Sequence, residues 1–184
     1  MSMFFTSDQH YGHRNICQYA GRPFSSVEEM DELLIKTHNS AVGKNDQVWF
    51  LGDFAFANIG RIKELLLRLN GQKNLILGNH DKTLRNYRKE LLGEKLLNGI
   101  FDYREITWEK QHIVLAHYGH RVWNRSHHGS WMLYGHSHGT LPPYGKSADM
   151  GVDSKVITDE YRPYSFEEVK AFMDARDIAN ADRH

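Results

Sequence analysis

The 184 residues contain a single cysteine, no excess of either charge and no long apolar run. One cysteine cannot close an intramolecular bridge, so a disulfide scaffold and a thiolate-rich zinc site are both excluded, and the composition suits a reducing compartment. The balance of 23 Lys+Arg against 23 Asp+Glu removes any global attraction for nucleic acid and leaves only local patches. No stretch approaches membrane-spanning length, and Met1 to Thr6 lacks the basic and apolar regions of a leader, so the expectation is a cytoplasmic chain with no membrane partner. With 40% hydrophobic and 25% charged residues, the composition is that of a globular protein. The length suits one domain over residues 1–184, with a core that needs no covalent staples. What the chain has in quantity is histidine: twelve of them.

Five short apolar runs read as buried strands: Met3 to Thr6, Val48 to Leu51, Asn74 to Leu77, Ile113 to Ala116 and Trp131 to Tyr134. Helical patterns lie between them. Ser26 followed by Glu29 has the form of a capping box and opens a helix that places Met30, Leu33, Leu34 and Thr37 at helical spacing. Asn58 can cap a second helix with Ile62, Leu65, Leu66 and Leu69 on one face and Gly71 as its stop. Ser165 with Glu168 begins a last helix with Phe166, Val169, Phe172 and Met173 inward. Ile100 to Ala116 reads as two extended runs turning at Glu109 and Lys110. The mixture predicts a layered α/β fold rather than a purely doubly wound sheet.

Polar residues able to bind metal come directly after every predicted strand. The first run ends in Asp8-Gln9-His10, the second in Gly52-Asp53, the third in Gly78-Asn79-His80-Asp81, the fourth in His117 and the fifth in Gly135-His136-Ser137-His138. In open α/β sheets the carboxyl ends of strands face one crevice, so residues distant in sequence can converge there. The pairs Asp8 and His10, and His136 and His138, are spaced to point to one side of an extended chain. Glycines 52, 78 and 135 each precede a candidate ligand, where close backbone approach is useful.

These signatures, in this order over residues 8 to 138, resemble those of the calcineurin-like metallophosphoesterases, in particular small single-domain bacterial and phage members. The resemblance implies a four-layer α-β-β-α sandwich of two mixed sheets flanked by helices, with a dinuclear metal centre at one edge. It further implies that Asp8, His10, Asp53 and His138 hold one ion, that Asp53, Asn79, His117 and His136 hold the other, and that Asp53 bridges. Gly52-Asp53 continues here as Phe54-Ala55-Phe56, without the second aspartate of many relatives. That aspartate is not a ligand in the family, so the departure concerns support around the site. Carboxylate, imidazole and amide ligands suit Mn²⁺ first, then Fe or Zn²⁺, with Co²⁺ and Ni²⁺ also compatible.

The implied activity is hydrolysis of a small phosphodiester or phosphomonoester, such as a nucleotide or cyclic nucleotide, by a hydroxide shared between two ions. His80 is the candidate acid for the leaving oxygen, with Asp81 orienting its ring. Asn79 is also a candidate substrate contact, and His13 and Arg14 stand close enough to the first motif to reach a phosphate. His127 and His128 belong to a loop before the fifth strand, while Tyr118, Trp123 and Trp131 offer either a stacking surface or core. Cys17 lacks a phosphate-cradling loop and reads as a small buried hydrophobe. A nuclease acting on phosphate polymers is the alternative activity, supported only by the basic stretches Lys82 to Lys89 and Arg121 to Arg125. A non-catalytic scaffold of the same fold is the third, disfavoured by the intact ligand set.

Overall fold

The computed structural model describes residues 1–178. In chain order the elements are β1 (Met3–Thr6), α1 (Ile16–Tyr19), α2 (Val27–Ala41), β2 (Gln47–Phe50), α3 (Ile59–Arg68), β3 (Gln72–Ile76), α4 (Lys82–Asn86), α5 (Arg88–Gly93), β4 (Gly99–Phe101), β5 (Tyr103–Trp108), β6 (Gln111–Ala116), a 3₁₀ turn (Ser126–His128), β7 (Trp131–Tyr134), β8 (Ser147–Asp149), β9 (Tyr164–Ser165) and α6 (Phe166–Asp174). The strands form two mixed sheets, ordered β4-β3-β2-β1-β9 and β5-β6-β7-β8. In the first, β1 to β4 run parallel and β9 pairs antiparallel to β1. In the second, β5 and β6 form an antiparallel hairpin and β6, β7 and β8 are parallel.

Strict alternation along each strand divides the apolar side chains between layers. Met3, Phe5, Trp49, Leu51 and Ile76 meet Ile113, Leu115, Trp131 and Leu133 between the sheets, and Phe166, Val169 and Met173 of α6 join that layer. The alternate residues Phe4, Val48, Phe50 and Leu75 face α2 and α3, packing on Met30, Leu34, Ile62, Leu65 and Leu66. Both faces of these strands are buried, which is why they read as unbroken apolar runs rather than as alternating ones. The outer face of the second sheet, Val114, Ala116, Met132 and Tyr134, packs on Trp123 and Tyr144 from connecting loops. Trp123 and Trp131 are therefore core, the second of the two roles their positions allowed.

Local signals account for the element ends. Ser26 accepts from the Glu29 amide as its cap, but the Glu29 carboxylate returns to the Ser25 amide, one residue before the cap. Ser165 and Glu168 form the complete reciprocal box. Asn58 caps α3, which ends on Leu69, two residues before Gly71. The turn of the β5–β6 hairpin sits at Glu109 and Lys110, both in left-handed conformation, as two-residue hairpin turns require. Three strands have no sequence signature: β4, β8 and β9 have two or three residues each, and β8 reads Ser-Ala-Asp.

One histidine outside the site has a measurable consequence for the fold. His38 on α2 is buried, donates to the Asn70 carbonyl at 3.0 Å and stacks on Phe50, and burial pushes it from its ordinary 6.5 down to about 4. The unfolded chain thus takes up a proton before the folded one does. Its contribution to stability is complete above pH 6.5 and is lost as pH falls towards 4, at a cost of roughly 2 kcal/mol by pH 5. Urea unfolding at pH 7.5 and pH 5 should show a shallower pH dependence for His38→Gln than for the unaltered chain; equal slopes would contradict this account.

Candidate metal centre

The carboxyl ends of β1, β2 and β3 in one sheet and of β6 and β7 in the other open onto a single edge. Ser7 pairs with Gly151 and Tyr11 with Ala55 just beyond those ends, and the Asp8 and His10 amides donate to the Gly52 and Asp53 carbonyls at 3.0 Å each. These bonds bend the chain sharply. Asp8, His10, Asp53, His136 and His138 all lie at φ between +46° and +69°, a left-handed region that Asp and His tolerate better than most residues. Close approach is required at all three of the glycines, most tightly at two: a Cβ on Gly78 would lie 2.2 Å from Asp53 Oδ1, and one on Gly135 would lie 1.9 Å from Ser7 Oγ. No side chain fits at either.

All seven candidate ligands come together. Asp8, His10 and His138 form one group able to hold an ion and Asp53, His117 and His136 a second, with the donor atoms of each group within 4.8 Å of one another. Asp53 Oδ2 stands between them, 3.7 Å from His10 Nε2 and 3.5 Å from His117 Nε2. Asn79 Oδ1 joins the second group at 3.0 Å from His117 Nε2. Buried polar atoms normally find partners, yet Asp8 Oδ1 and His10 Nε2 are buried with none among the described residues. Oxygen and nitrogen donors aimed at one point, two of them unsatisfied by protein, fit a divalent cation.

Supporting bonds fix which atom each ligand presents. His117 Nδ1 donates to the Leu51 carbonyl at 2.8 Å, which turns Nε2 towards Asp53. His138 Nδ1 lies 2.7 Å from Asp153 Oδ2, and that carboxylate is gripped at both oxygens by the buried Arg22 at 2.8 and 2.7 Å. Arg22 also donates to the carbonyls of Asp8 and Gln9. Asp149 accepts from Ser137 Oγ and from the amides of Gly139 and Gly151, and so shapes the His136-Ser137-His138 loop.

Electrostatics at the site are set by burial and neighbours. Burial, with Asp149 adding to it, lifts the Asp8 carboxyl to about 7 against the pull of His138 and His117. Burial also pushes Asp53 up, but a hydrogen bond and positive charge from His117, the His80 amide and His10 hold it at about 2. His10 falls to about 3, chiefly through burial, and is neutral with its lone pair free, the form that binds metal.

Several expectations need correction. Asp81 does not orient His80: its two oxygens accept from the amides of Gly78, Asp53 and Phe54, so it braces the loops that carry Asp53 and Asn79. Burial raises it to about 6. His80 is exposed and lines the cleft over the centre, its own amide donating to Asp53 Oδ1 at 2.8 Å. His13 lines the same cleft, whereas Arg14 is exposed at the turn into α1 and does not. His127 and His128 lie ring to ring in the 3₁₀ turn, away from the cleft. His112 pairs with Glu105, Cys17 is half-buried against Met30, and His184 is outside the described residues. Tyr118 is exposed, packs edge-on to His136 and donates to Asn79 Oδ1 at 3.4 Å. Arg22, Asp149 and Asp153 carried no sequence signal, since none adjoins an apolar strand.

No protein-family model matches the chain. It is 34% identical over 174 residues to Uncharacterized protein MJ1445 of Methanocaldococcus jannaschii, a match covering 90% of this chain and 87% of that one. The chain belongs to the family of MJ1445. Among solved structures, the Aquifex aeolicus protein of unknown function AQ665 superposes with a TM-score of 0.68 at 22% identity, covering 92% of this chain and 98% of that one. An archaeal phosphodiesterase superposes with a TM-score of 0.52 at 18% identity, covering 90% and 99%. These two likenesses show that this chain shares its fold of two mixed sheets flanked by helices with both proteins, one of them a phosphodiesterase.

Proposed function

We propose that this chain is a metal-dependent phosphoesterase that hydrolyses a small phosphodiester or phosphomonoester at two adjacent divalent ions, Mn²⁺ being the best match to the donor set, with Fe or Zn²⁺ next. The observation that carries this reading is the position of Asp53 Oδ2, within 3.7 Å of a histidine nitrogen from each of two ligand groups. A single carboxylate oxygen placed so is suited to bridging. Asp8, His10 and His138 would hold one ion, and Asn79, His117 and His136 the other. When bound, such a pair supplies Lewis acidity, a water of lowered pKa and a clamp on the oxygens of an in-line displacement.

The chain's own residues do the rest. Arg22 and Asp153 orient His138, the Leu51 carbonyl orients His117, and Asp149 sets the loop between His136 and His138. His80 lines the cleft with its ring 5.5 Å from that of His10, placed to serve a departing oxygen as its acid. Replacing it by Ala should lower turnover by about 10²- to 10⁴-fold, the usual worth of a positioned acid. The check is a panel of mono- and diesters assayed on metal-reconstituted protein, with metal content measured alongside. Two ions per chain with the turnover loss supports His80 as the acid; full activity removes it from the reaction. No hydrolysis of any ester with any of the candidate ions would sink the phosphoesterase reading as a whole.

A further inference from the structure

Large apolar side chains are commonly exposed one at a time on protein surfaces. Here three of them border one cleft: Tyr19 is 71% exposed, Phe56 55% and Leu141 48%. The cleft has a volume of about 790 Å³, and its floor is the candidate metal centre, reached through His10, Asp53, His136 and His138. One wall is aromatic. The His13 ring stacks on Phe56 at 4.8 Å, and Tyr19 stands edge-on to His13 at 6.3 Å. Among the described residues that line the cleft, none is Lys or Arg.

These observations constrain what enters. Attraction for phosphate is confined to the floor, so a polyphosphate or a nucleic-acid strand would lay its further phosphates against walls with no protein cation. A flat apolar group attached to one phosphate would instead cover Tyr19 and Phe56 and remove their faces from water. Trp123 and Trp131 are enclosed in the core and cannot take that part. Resting on the phosphoesterase reading, we infer that the wall formed by Tyr19, Phe56 and His13, with Leu141 bordering the same cleft, is a subsite for a planar aromatic substituent of a phosphodiester, as a nucleobase would be.

The test compares two diesters of equal charge and identical leaving group on the metal-reconstituted protein: methyl p-nitrophenyl phosphate and thymidine 5′-(p-nitrophenyl phosphate). Stacking on an aromatic wall should favour the thymidine ester by about tenfold or more in kcat/KM, and Tyr19→Ala/Phe56→Ala should bring that ratio to within about twofold of one. Calorimetry with thymidine 5′-methyl phosphate against dimethyl phosphate reads the same preference as affinity, without turnover. Both replaced side chains are largely exposed, so the fold is not at stake, and the ratio is internal to each protein. A ratio near one in the unaltered chain, or a preference that survives the double substitution, overturns the subsite. Hydrolysis of both esters with equal efficiency would do so while leaving the phosphoesterase reading intact. A calorimetric preference lost in the double variant, with no mono- or diester of the wider panel cleaved under any candidate ion, would keep the subsite and remove the phosphoesterase reading.

Discussion

Asp53→Asn should empty both ligand groups at once. Asp53 Oδ2 lies 3.7 Å from His10 Nε2 and 3.5 Å from His117 Nε2, while Oδ1 accepts from the His80 amide. The amide of asparagine keeps the size of the side chain but removes the charge, and offers either an oxygen or two N–H donors to the shared point, never two anionic oxygens. Each group then loses the donor it has in common with the other. Hydrolysis should fall by roughly a thousandfold or more, beyond the 10- to 100-fold typical of residues that only support a ligand. Metal content, measured by elemental analysis after dialysis, should drop in both groups together. His138→Ala is the contrast, since it touches one group and should spare part of the metal. An Asp53→Asn protein that keeps two ions would show that the carboxylate is not shared.

The second large effect lies in a residue that touches no candidate donor atom. Arg22 is wholly buried, pairs with Asp153 at 2.7 Å and donates to the carbonyls of Asp8 and Gln9. Arg22→Met would leave the Asp153 carboxylate enclosed with His138 as its remaining partner and two buried carbonyls unsatisfied. Removing one member of a buried pair costs roughly 3–5 kcal/mol, because the other charge stays buried. At about 2–4 °C per kcal/mol for a chain of this size, Tm should fall by roughly 10 °C. Metal affinity should weaken by about 10- to 100-fold through the loosened His138 ring. Denaturant unfolding of Arg22→Met, Asp153→Asn and the double variant separates the pair from its parts. A loss below about 1 kcal/mol would place Arg22 among ordinary surface pairs and contradict the burial argument.

Much of this arrangement was legible in the sequence because the same residues serve both fold and site. The runs Met3 to Thr6 and Trp131 to Tyr134 are strands with those bounds, and the others differ by one or two residues at one or both ends. A strand buried on both faces must be apolar throughout, and the chain must turn once it leaves the sheet, so the switch from apolar run to Asp, His or Asn marks the edge where ligands collect. Other features could not be read this way. The strand β8 has no apolar run, so Asp149 at its end and Asp153 just beyond it gave no cue. Arg22 reaches Asp153 across 131 residues of chain, and only the folded path brings them together. Asp81 stands next to His80 in sequence, yet its carboxylate turns inward to three amides, which adjacency alone does not reveal.

The left-handed ligand residues bear on how an ion would arrive. Asp8, His10, Asp53, His136 and His138 hold their φ angles through bonds the chain makes with itself: Asp8 and His10 amides to Gly52 and Asp53, and the His136 amide to Asp8 Oδ2 at 2.9 Å. That conformation costs about 1–2 kcal/mol per residue, which lowers the stability of the fold whether or not an ion is bound. In return, the chain's own bonds set the geometry that would receive an ion. Apparent affinity should then carry no discount for a rare conformer, and the rate of capture should be set by encounter and by shedding of the ion's water rather than by rearrangement of the protein.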